Sequence, residues 1–527
     1  MPTAIDFKSG FDLMRWRSIA NAPNAAAAGV TLSYDHRNTE DRHPEIFQLA
    51  SLAAFNKYNI KNDDWMPLAS PALAGTFGAG VDSVFVPEAG PAGTLAAGAT
   101  TTSVVLSTAL AAAVGVNQLA NRGDGRGFKI RIVGNSAGGS GKIEERIIIG
   151  NTSGTTPTIY LDSALSFTPA GGDRYEILSG RVFLLSAGTL AAGVWKYYDI
   201  ATNSFSGSLA TTNLPATIGT DSDLLSLSEL YVPNVRKPGE GFLIGAGTYN
   251  NGLLGCLTAT AISSITITGQ AAGGDAAVLV NEYRNFQIRI VEDTATPTAV
   301  GQRRNITSHT AGASPVYTVP AWAVTPSAAA KFVIEGNGDR ILLWTSANTV
   351  TYTYSIAGNA WDAGTTFANK TSIVGAGVSA VRAFGIVPDT AKLCRQSYIF
   401  VFRGGGSNAV DVFDIAGAAT GLWTENINYG NKSQTFTTGN SVIIDPIVNE
   451  GRFAYINVNG TQRFARFDMK NLIIEPLTWL EYAQGAAIVG TGLALITFID
   501  PGDNTKITSL IHQRRSNVEC FRLDIMR

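Results

Sequence analysis

A three-residue pattern recurs six times along this chain of 527 residues and constrains its fold more than any other feature. Each copy has an aromatic or large apolar residue, then any residue, then Ile or Met. The copies are Tyr58-Asn59-Ile60, Tyr198-Asp199-Ile200, Tyr354-Ser355-Ile356, Phe413-Asp414-Ile415, Phe467-Asp468-Met469 and Leu523-Asp524-Ile525. Such recurrence indicates an architecture built from repeats of one structural unit.

The spacing of the six copies defines the length of that unit. The last three gaps, measured between third residues, are 59, 54 and 56 residues, whereas the first two are 140 and 156 residues. The excess in each of the first two gaps is the size of a small domain. The chain is therefore predicted to repeat a unit of about 55 residues, close to the kelch period, and to interrupt it twice.

The residues around each copy predict four antiparallel strands, called A to D in chain order. Strand C leads into the pattern with alternating residues, as in 55–60 and 410–415, which is typical of a strand with one buried face. Strand B is rich in branched and aromatic residues, and its copies are 181–185, 340–344, 397–402 and 452–456. Strand A is predicted at 84–86, 242–244, 384–387, 442–444 and 495–499.

A large residue opens each strand D after a turn made from Asp, Asn, Gly or Thr. These residues are interpreted as packing anchors between adjacent sheets, and they are Trp65, Phe205, Trp361, Trp423 and Trp479. Four strands in each repeat of this length predict the blades of a kelch-like β-propeller.

The two ends of the chain are predicted to share one blade. The sixth copy of the pattern ends two residues before Arg527, which leaves no room for a strand D. Residues 11–19 are expected to supply that strand, with Trp16 in the anchor position, and residues 29–32 fit strand A of the first blade. Pairing the ends would protect strand edges that otherwise promote aggregation.

The two long gaps hold related inserted segments. Residues 128–133 match residues 286–291 at an offset of 158, and Tyr160 and Tyr175 match Tyr317 and Phe332 at an offset of 157. Both segments fall between strands A and B, so they should project from the same face of the ring. Their many Gly, Ala, Ser and Thr residues predict small β-sandwiches or barrels, although residues 108–121 could contain a short helix.

The predicted fold is all-β, a kelch-like β-propeller of about six four-stranded blades closed by the N-terminal strand, with two related small β-domain insertions. The closing strand and first blade occupy residues 1–92, insert 1 residues 93–179 and insert 2 residues 257–338. The rest of the propeller occupies residues 180–256 and 339–527.

Composition limits the classes of partner. Charged residues make up 15% of the chain and 56 residues are Gly, so much of the surface must be small and polar, which suits a protein held inside an assembly. A net charge of −2 gives no global attraction to nucleic acid or anionic membranes. The local basic pairs Arg303-Arg304 and Arg514-Arg515 are interpreted as solvated arginines.

Cysteine usage and the N-terminus bear on the compartment. Cys256, Cys394 and Cys520 are too few and too far apart for a disulfide scaffold and are expected to be buried thiols. Neither a signal peptide nor a membrane span is visible, so ordinary secretion and membrane insertion are not expected.

Candidate catalytic residues do not form a convincing constellation. The histidines His36, His43, His309 and His512 lack zinc-ligand spacing, and the stretch around Asp41 and Arg42 is interpreted as a polar loop. Paired carboxylates could serve glycoside hydrolysis, but turn and insert positions are the favoured interpretation of Asp63-Asp64 and Glu144-Glu145. Residues 138–142 depart from the phosphate-loop spacing and are predicted to form a hairpin turn.

A copper centre of the kind found in kelch-like radical oxidases is also disfavoured, because the histidines are scattered over entry loops, an insert and a final strand. The sequence therefore predicts no catalytic, cofactor-binding or metal-binding residue, no cofactor and no enzymatic activity.

The second insert carries a resemblance to a known class of protein. An Ile-Arg-Ile-Val strand is followed by residues 301–308, then Tyr317, Trp322 and the Thr325-Pro326 pair before residues 332–334. This arrangement resembles small β modules in structural proteins of tailed bacteriophages. A propeller in a virion further resembles the tail nozzle or hub proteins of short-tailed phages, which form rings beneath the portal and adaptor.

The resemblance implies a non-enzymatic structural component of a phage tail, a nozzle or hub-type ring protein. Such a protein would be made in the host cytoplasm, reside in the virion, self-assemble into a ring oligomer, contact the adaptor or fibres, and allow non-specific DNA passage. One alternative is a receptor- or carbohydrate-binding baseplate or fibre protein that stacks sugars on Trp195, Trp322 or Tyr249. The other is an enzyme that uses the central funnel of the propeller.

Overall fold

The computed structural model describes residues 16–25, 29–35, 43–60, 62–78, 80–219, 221–228, 257–269, 278–382, 398–432, 434–437, 441–444, 453–457, 464–476, 493–499, 506–513 and 518–526. This part of the chain is all-β, with 39 strands and two three-residue 3-10 helices at Gln118–Ala120 and Pro297–Ala299. The helix predicted within residues 108–121 is thus reduced to a single short turn.

Six sheets of four antiparallel strands recur among the described residues. Sheet I contains β2 (Thr31–Tyr34), β3 (Glu45–Leu49), β4 (Phe55–Asn59) and β5 (Asp64–Pro67). Sheet II contains β6 (Asp82–Val86), β13 (Arg181–Leu185), β15 (Trp195–Asp199) and β16 (Ser204–Phe205). Sheet III contains β18 (Asp223–Ser226), β26 (Arg340–Trp344), β27 (Tyr352–Ser355) and β28 (Ala360–Ala363).

The remaining three sheets follow the same order. Sheet IV contains β29 (Ser379–Arg382), β30 (Tyr398–Phe402), β31 (Val410–Asp414) and β32 (Leu422–Thr424). Sheet V contains β33 (Ser441–Ile444), β34 (Phe453–Asn457), β35 (Phe464–Asp468) and β36 (Ile473–Pro476). Sheet VI contains β37 (Leu493–Ile499), β38 (Lys506–Gln513), β39 (Cys520–Met526) and β1 (Trp16–Ile19).

Strand β1 joins the two ends of the chain in sheet VI. It lies antiparallel to β39, with Trp16 opposite Leu523 and Ile19 opposite Cys520. Trp16 therefore stands opposite the first residue of the sixth three-residue pattern, which is the anchor position predicted for it.

Two predicted strands need correction. The segments 242–244 and 384–387 lie outside the described residues, and the strands that pair with β26 and β30 are β18 and β29. Several short apolar runs in the sequence satisfy the strand criteria equally well. Only the cross-strand partner decides which of them enters the sheet.

The first strands of the six sheets contact one another in a cyclic order. The contacting pairs are β2 with β6, β6 with β18, β18 with β29, β29 with β33, β33 with β37, and β37 with β2. Four-stranded sheets that meet through their first strands in this way are typical of a β-propeller.

Side chains at the start of these strands link neighbouring sheets. Asp82 Oδ2 accepts a hydrogen bond from Leu224 N at 2.6 Å, and Asp223 Oδ2 accepts one from Ala380 N at 2.9 Å. Ser379 Oγ accepts the next, from Val442 N at 3.1 Å. In each case the side chain of the first residue in one strand accepts a hydrogen bond from the backbone N–H of the second residue in the next strand.

The hydrophobic core is divided into layers between neighbouring sheets. Phe183 and Trp195 of sheet II pack with Leu343, Tyr354 and Trp361 of sheet III. A corresponding layer lies between sheets III and IV, and another between sheets IV and V. Sheets III and IV bury both faces, because alternate residues of their strands point to opposite neighbours.

The predicted anchors stand opposite the aromatic residue of the three-residue pattern. The described cross-strand pairs are Tyr58 with Trp65, Tyr198 with Phe205, Tyr354 with Trp361, and Phe413 with Trp423. Several also contact the preceding sheet, as Trp361 does with Trp195 at a ring separation of 5.2 Å. In sheet V the residue opposite Phe467 is Ile474, and the predicted anchor Trp479 lies outside the described residues.

The inserted segments form two further sheets. In insert 1 the order is β7 (Ala92–Thr94), β12 (Arg174–Ile177), β9 (Lys129–Val133), β10 (Ile143–Asn151), β11 (Thr158–Leu161) and β8 (Ser103–Val105). A bridge between Leu95 and Leu106 joins the two outer strands, so the sheet curls into a small barrel.

Insert 2 has the same cyclic order of strands, and the strand that corresponds to β10 is divided into β22 and β23 at the two edges of the sheet. Its sheet runs β22 (Arg303–Asn305), β21 (Gln287–Glu292), β25 (Lys331–Glu335), β19 (Leu257–Ile262), β20 (Thr266–Gly269), β24 (Val316–Thr318) and β23 (Ser308–His309). A separate two-stranded sheet pairs β14 (Gly188–Thr189) with β17 (Thr217–Ile218).

One predicted equivalence between the inserts is wrong. Val104 pairs with Ile159 in insert 1, and the corresponding Ile267 pairs with Tyr317 in insert 2. Tyr317 is thus equivalent to Ile159 and is buried, whereas Tyr160 is 45% exposed. A shift of one residue reverses the face of a strand, so the sequence match between the two tyrosines was misleading.

Candidate functional site

His43 and His309, the two candidate histidines whose side chains the structure describes, have structural surroundings. His43 is buried, its ring stacks on Phe128, and its backbone amide donates to Asp35 Oδ2 at 2.8 Å. His309 Nε2 accepts a hydrogen bond from Tyr283 N at 2.9 Å. No group of three or more His, Cys, Asp or Glu residues that could hold a metal ion occurs in the part of the chain that the structure describes.

The paired carboxylates are engaged in local contacts. Arg146 donates to Glu144 Oε2 at 2.7 Å, and Arg131 donates to Glu145 Oε1 at 2.8 Å. Asp63 Oδ1 accepts from Tyr58 Oη at 2.8 Å and from Ala20 N at 2.8 Å. Glu144 and Glu145 thus lie in ion pairs of insert 1, and Asp63 lies in the turn between β4 and β5.

The remaining candidates are placed as follows. Residues 138–142 form the turn between β9 and β10, and Trp195 and Trp322 are buried, which removes them as exposed sugar platforms. Cys520 is buried, and burial raises its thiol pKa to about 12. The residues that lie outside the described part are His36, Asp41, Arg42, Tyr249, Cys256, Cys394, Arg514 and Arg515. No described helix has the length and apolar character needed to cross a membrane.

A chain of alternating charges crosses the junction between the two inserts. Arg131 Nη1 lies 2.9 Å from Glu176 Oε2, and Arg303 Nη2 lies 3.4 Å from the same oxygen. Arg303 Nε also lies 3.1 Å from Glu335 Oε1, and Arg289 pairs with Glu335 Oε2 at 2.7 Å. Arg303, interpreted from the sequence as solvated, keeps 34% of its side chain exposed and also contacts Glu176 across the junction.

The electrostatics of Glu176 follow from this position. Burial by itself would raise its pKa, but the guanidinium groups of Arg303, Arg131 and Arg289 hold the pKa of this carboxyl well below its usual range. Glu176 is therefore ionised at neutral pH, and the arginines that surround it are compensated.

Backbone contacts and apolar packing reinforce the junction. Asp293 N donates to Gly141 O at 2.7 Å, and Asn135 Nδ2 donates to Val300 O at 3.3 Å. Val133 and Ile143 of insert 1 belong to the hydrophobic core of insert 2. Gly141 has φ +70, and a Cβ there would lie 2.3 Å from Asp293 O, so this close approach requires glycine.

A second shared feature connects both inserts to the four-stranded sheets, which are called the propeller sheets from here on. Residues 112–121 and 276–285 both read Ala-Ala-Val-x-Val-Asn-x-x-x-Asn, a repeat that sequence reasoning missed. The first asparagines, Asn117 and Asn281, are left-handed, with φ 58 and 55. Their amides donate to the carbonyls of Asn151 and His309, so the two loops have the same geometry.

These loops contact the turns that follow the three-residue patterns. Gln118 Nε2 donates to Ala201 O at 2.8 Å in sheet II, and Asn285 Nδ2 donates to Ile415 O at 2.7 Å in sheet IV. Insert 1 also shares a continuous hydrophobic core with sheets I and II. Insert 1 is therefore bonded to sheets I and II, and insert 2 is bonded to sheet IV. The two inserts also contact each other at their junction.

A polar cleft lies between sheet I and insert 1, with a volume of about 310 Å³. Lys57 Nζ lies 2.8 Å from Glu45 Oε1 at its base, and Asn59 Nδ2 donates to Gly123 O at 2.9 Å across it. Burial raises the pKa of Glu45 against the opposing effect of Lys57. The lining residues are Glu45, Lys57, Asn59, Asn62, Asp64, Met66, Asn121 and Gly123.

These sheets define an all-β protein with the strand arrangement of a β-propeller. No protein-family model matches the chain, and no curated protein matches it.

Among solved structures, the chain is similar to YCF48 bound to D1 peptide, with 8% identity over 97% of this chain and 96% of that chain and a TM-score of 0.31. It is similar to Myxococcus xanthus glutaminyl cyclase at 10% identity over 42% of this chain and 85% of that chain, with a TM-score of 0.21. The Malassezia sympodialis allergen Mala s 1 matches at 10% identity over 64% of this chain and 89% of that chain, with a TM-score of 0.23. Scores this low carry no argument about function.

Proposed function

We propose that the six sheets close into a six-bladed propeller and that the chain is a non-enzymatic structural component of a phage tail, of the nozzle or hub type. Closure is supported by the cyclic contacts of the first strands and by the pairing of β1 with β39. The phage assignment is supported by the resemblance of the insert pattern to virion β modules.

The observation that carries a structural role is the junction of the two inserts. Glu176 and Arg303 join two inserts that are each also bonded to the propeller sheets, so the three parts form a stiff platform. A charged network with several fixed partners specifies one relative orientation of the parts that it joins. Stiffness of this kind suits a part that transmits load between neighbours.

In this proposal, copies associate side by side into a ring in the virion, and the paired inserts contact the adaptor or fibres. Ring assembly uses head-to-tail interfaces, which tolerate a polar surface when they are large. A net charge of −2 lets DNA pass without strong binding.

Assembly state tests this proposal. Purified full-length protein should form rings of defined copy number by negative-stain microscopy and analytical ultracentrifugation. A protein that stays monomeric up to high concentration, and that does not join tail proteins in a co-expression pull-down, would contradict it.

The polar cleft favours a second candidate function, a receptor- or carbohydrate-binding role. Amide and carboxylate groups at Asn62, Asp64 and Asn121 offer hydrogen bonds to a hydroxyl-rich ligand. A glycan array should then show binding that is lost in Lys57→Ala. The absence of any glycan signal would remove this candidate.

A further inference from the structure

Lys370 and Asp411 form a buried contact between sheets III and IV. Lys370 lies in the connection from β28 to β29, and Asp411 is the second residue of β31. Lys370 Nζ contacts Asp411 Oδ2, and both side chains have 0% exposure. Among the described ion pairs that contain a lysine, this is the one in which both partners are fully buried.

Burial makes the ammonium of Lys370 easier to deprotonate than that of an exposed lysine. Burial lowers the pKa of Lys370, although Asp411 and Glu425 act in the opposite direction. The Trp423 ring lies 4.6 Å from Nζ, and its Nε1 donates to Ala368 O at 2.8 Å, which holds the ring over the amine. A desolvated amine is a better nucleophile than a hydrated ammonium.

The other carboxylate oxygen of Asp411 has two well-placed donors. Arg403 Nη2 donates to Oδ1 at 2.6 Å, and Asn426 N donates to the same oxygen at 2.7 Å. Two fixed donors on one oxygen stabilise the negative charge that develops there when a nucleophile adds to the carboxyl carbon. They form the arrangement of an oxyanion hole around Oδ1.

A second carboxylate stands beside the pair. Glu425 Oε1 accepts from Thr371 N at 2.5 Å and Oε2 from Ser372 N at 2.9 Å, so it is fixed on the two residues that follow Lys370. Its Oε2 also lies 3.5 Å from Arg403 Nη2. The charges of Glu425 and Lys370 act on each other, and a bridging water between them would complete a path for protons from the nitrogen to the departing oxygen.

We propose that Lys370 and Asp411 become joined by an intramolecular isopeptide bond, with Glu425 as the proton carrier. The Lys370 ammonium first loses one proton to Glu425, and the free amine then attacks Cγ of Asp411 to form the new N–C bond. The nitrogen gives up a second proton, and the bond from Cγ to Oδ2 breaks as Oδ2 takes both protons and leaves as water. One ammonium and one carboxylate thus give one amide and one water, and no further reactant is needed.

The product is a covalent cross-link between the β28–β29 connection and sheet IV. Oδ1 becomes the amide oxygen and keeps its hydrogen bonds from Arg403 and Asn426. A cross-link between residues this far apart in sequence restricts the unfolded chain, as a disulfide does. The inference rests on this side-chain cluster alone and does not depend on the proposed virion role.

Intact-mass spectrometry of the full-length protein tests the proposal. The measured mass should be lower than the sequence mass by one water, and tandem spectra should show a peptide that contains Lys370 joined to a peptide that contains Asp411. A mass equal to that of the sequence would mean an ordinary buried ion pair and would overturn the proposal.

Two variants keep the test decisive. Glu425→Gln retains the shape of the side chain and should restore the full mass while the protein still folds, and its melting temperature should fall. Lys370→Arg retains the cation and should also restore the full mass.

A loss of water that persists in Lys370→Arg would place the dehydration at another site, such as the Asp124-Gly125 sequence, and would overturn the proposal. Lys331→Arg, in the exposed pair with Glu292, is the matched control and should still lack one water.

Discussion

The hydroxyl of Tyr198 donates a hydrogen bond to Asn203 Oδ1 at 2.7 Å, across the turn that links β15 to β16. The same bond joins Tyr58 to Asp63 and Tyr354 to Asn359. In each turn the acceptor is a left-handed residue two positions before the anchor, with φ values of 49, 50 and 43.

The two sheets with Phe in place of Tyr lack this bond. Their left-handed residues are Gly421 and Leu472, which offer no side-chain acceptor. The first residue of the three-residue pattern is therefore correlated with the left-handed turn residue. Where the first residue is Tyr, the turn residue is Asp or Asn, and where it is Phe, the turn residue is Gly or Leu.

This relationship predicts strong coupling between the two positions. Tyr198→Phe should lower the free energy of unfolding by about 1 kcal/mol, because it removes one hydrogen bond. In a protein that already carries Tyr198→Phe, Asn203→Gly should lower the free energy of unfolding by less than it does in the native protein. The pair at these two positions then resembles Phe413 and Gly421. A double-mutant cycle by urea unfolding measures the difference, and additive effects would exclude the coupling.

The N-terminal strand is predicted to be essential for stability. Deleting residues 2–20 removes β1 from the edge of β39 and also removes Ala20, whose carbonyl accepts from Trp65 Nε1 at 2.9 Å. The melting temperature should fall by several degrees, since each kcal/mol lost shifts it by about 1 °C in a chain of this length and a whole strand is removed. Calorimetry of the deletion checks this, and an unchanged melting temperature would show that β1 adds nothing.

A finer version of that experiment uses single substitutions in β1. Ser18 is exposed and lies opposite Phe521, so Ser18→Ala should be nearly neutral. Ser18→Pro should be destabilising, because proline cannot donate a hydrogen bond and restricts the residue before it. Equal melting temperatures for the two variants would argue against a strand at this position.

The contacts between the first strands of sheets II, III and IV are predicted to stabilise the protein less as pH rises. Removal from water raises the pKa of Asp82 to about 7, and it raises that of Asp223 as well, with the charge of Asp82 as a further cause. A raised pKa means that the folded protein holds protons that the unfolded chain has released. The resulting stabilisation is complete below the unfolded value, about 3.9, and is lost as pH rises through about 7.

Urea unfolding between pH 5 and pH 8 measures this effect. The difference in unfolding free energy between the native protein and Asp223→Asn should change across that range, since the amide cannot titrate. Asn can still accept the amide of Ala380 through its carbonyl oxygen. A constant difference would show that the carboxylates titrate as they do in the unfolded chain.

The insert junction is predicted to depend on Glu176. Glu176→Gln should destabilise the inserts by about 2 kcal/mol, because it weakens charged hydrogen bonds and leaves excess positive charge among Arg131, Arg289 and Arg303. The lowered pKa of Glu176 makes its contribution present above the unfolded value of about 4.3 and lost as pH falls below it.

Hydrogen exchange of the strands β9 and β21 measures this loosening. Lys331→Gln, in the exposed pair with Glu292, is the control and should cost less than about 1 kcal/mol. If both variants exchange at the native rate, the charge chain does not hold the inserts together.

The sequence by itself determined the repeat, the order of the four strands, and the aromatic pairs at the end of strand C, because alternation of apolar residues and turn residues is a local property. It also predicted that residues 11–19 supply a strand beside the sixth copy of the pattern, and the pairing of β1 with β39 agrees with this. It misplaced the strands at 242–244 and 384–387, because local propensity does not distinguish between short apolar runs.

Only the tertiary structure brought together groups that are distant in the chain. Glu176 and Arg303 are separated by 127 residues, and Lys370 and Asp411 by 41, and neither pair has a local pattern that marks it. Side chains of this kind acquire their chemistry from burial and from their neighbours. Those conditions arise only when sheets and inserts pack against one another.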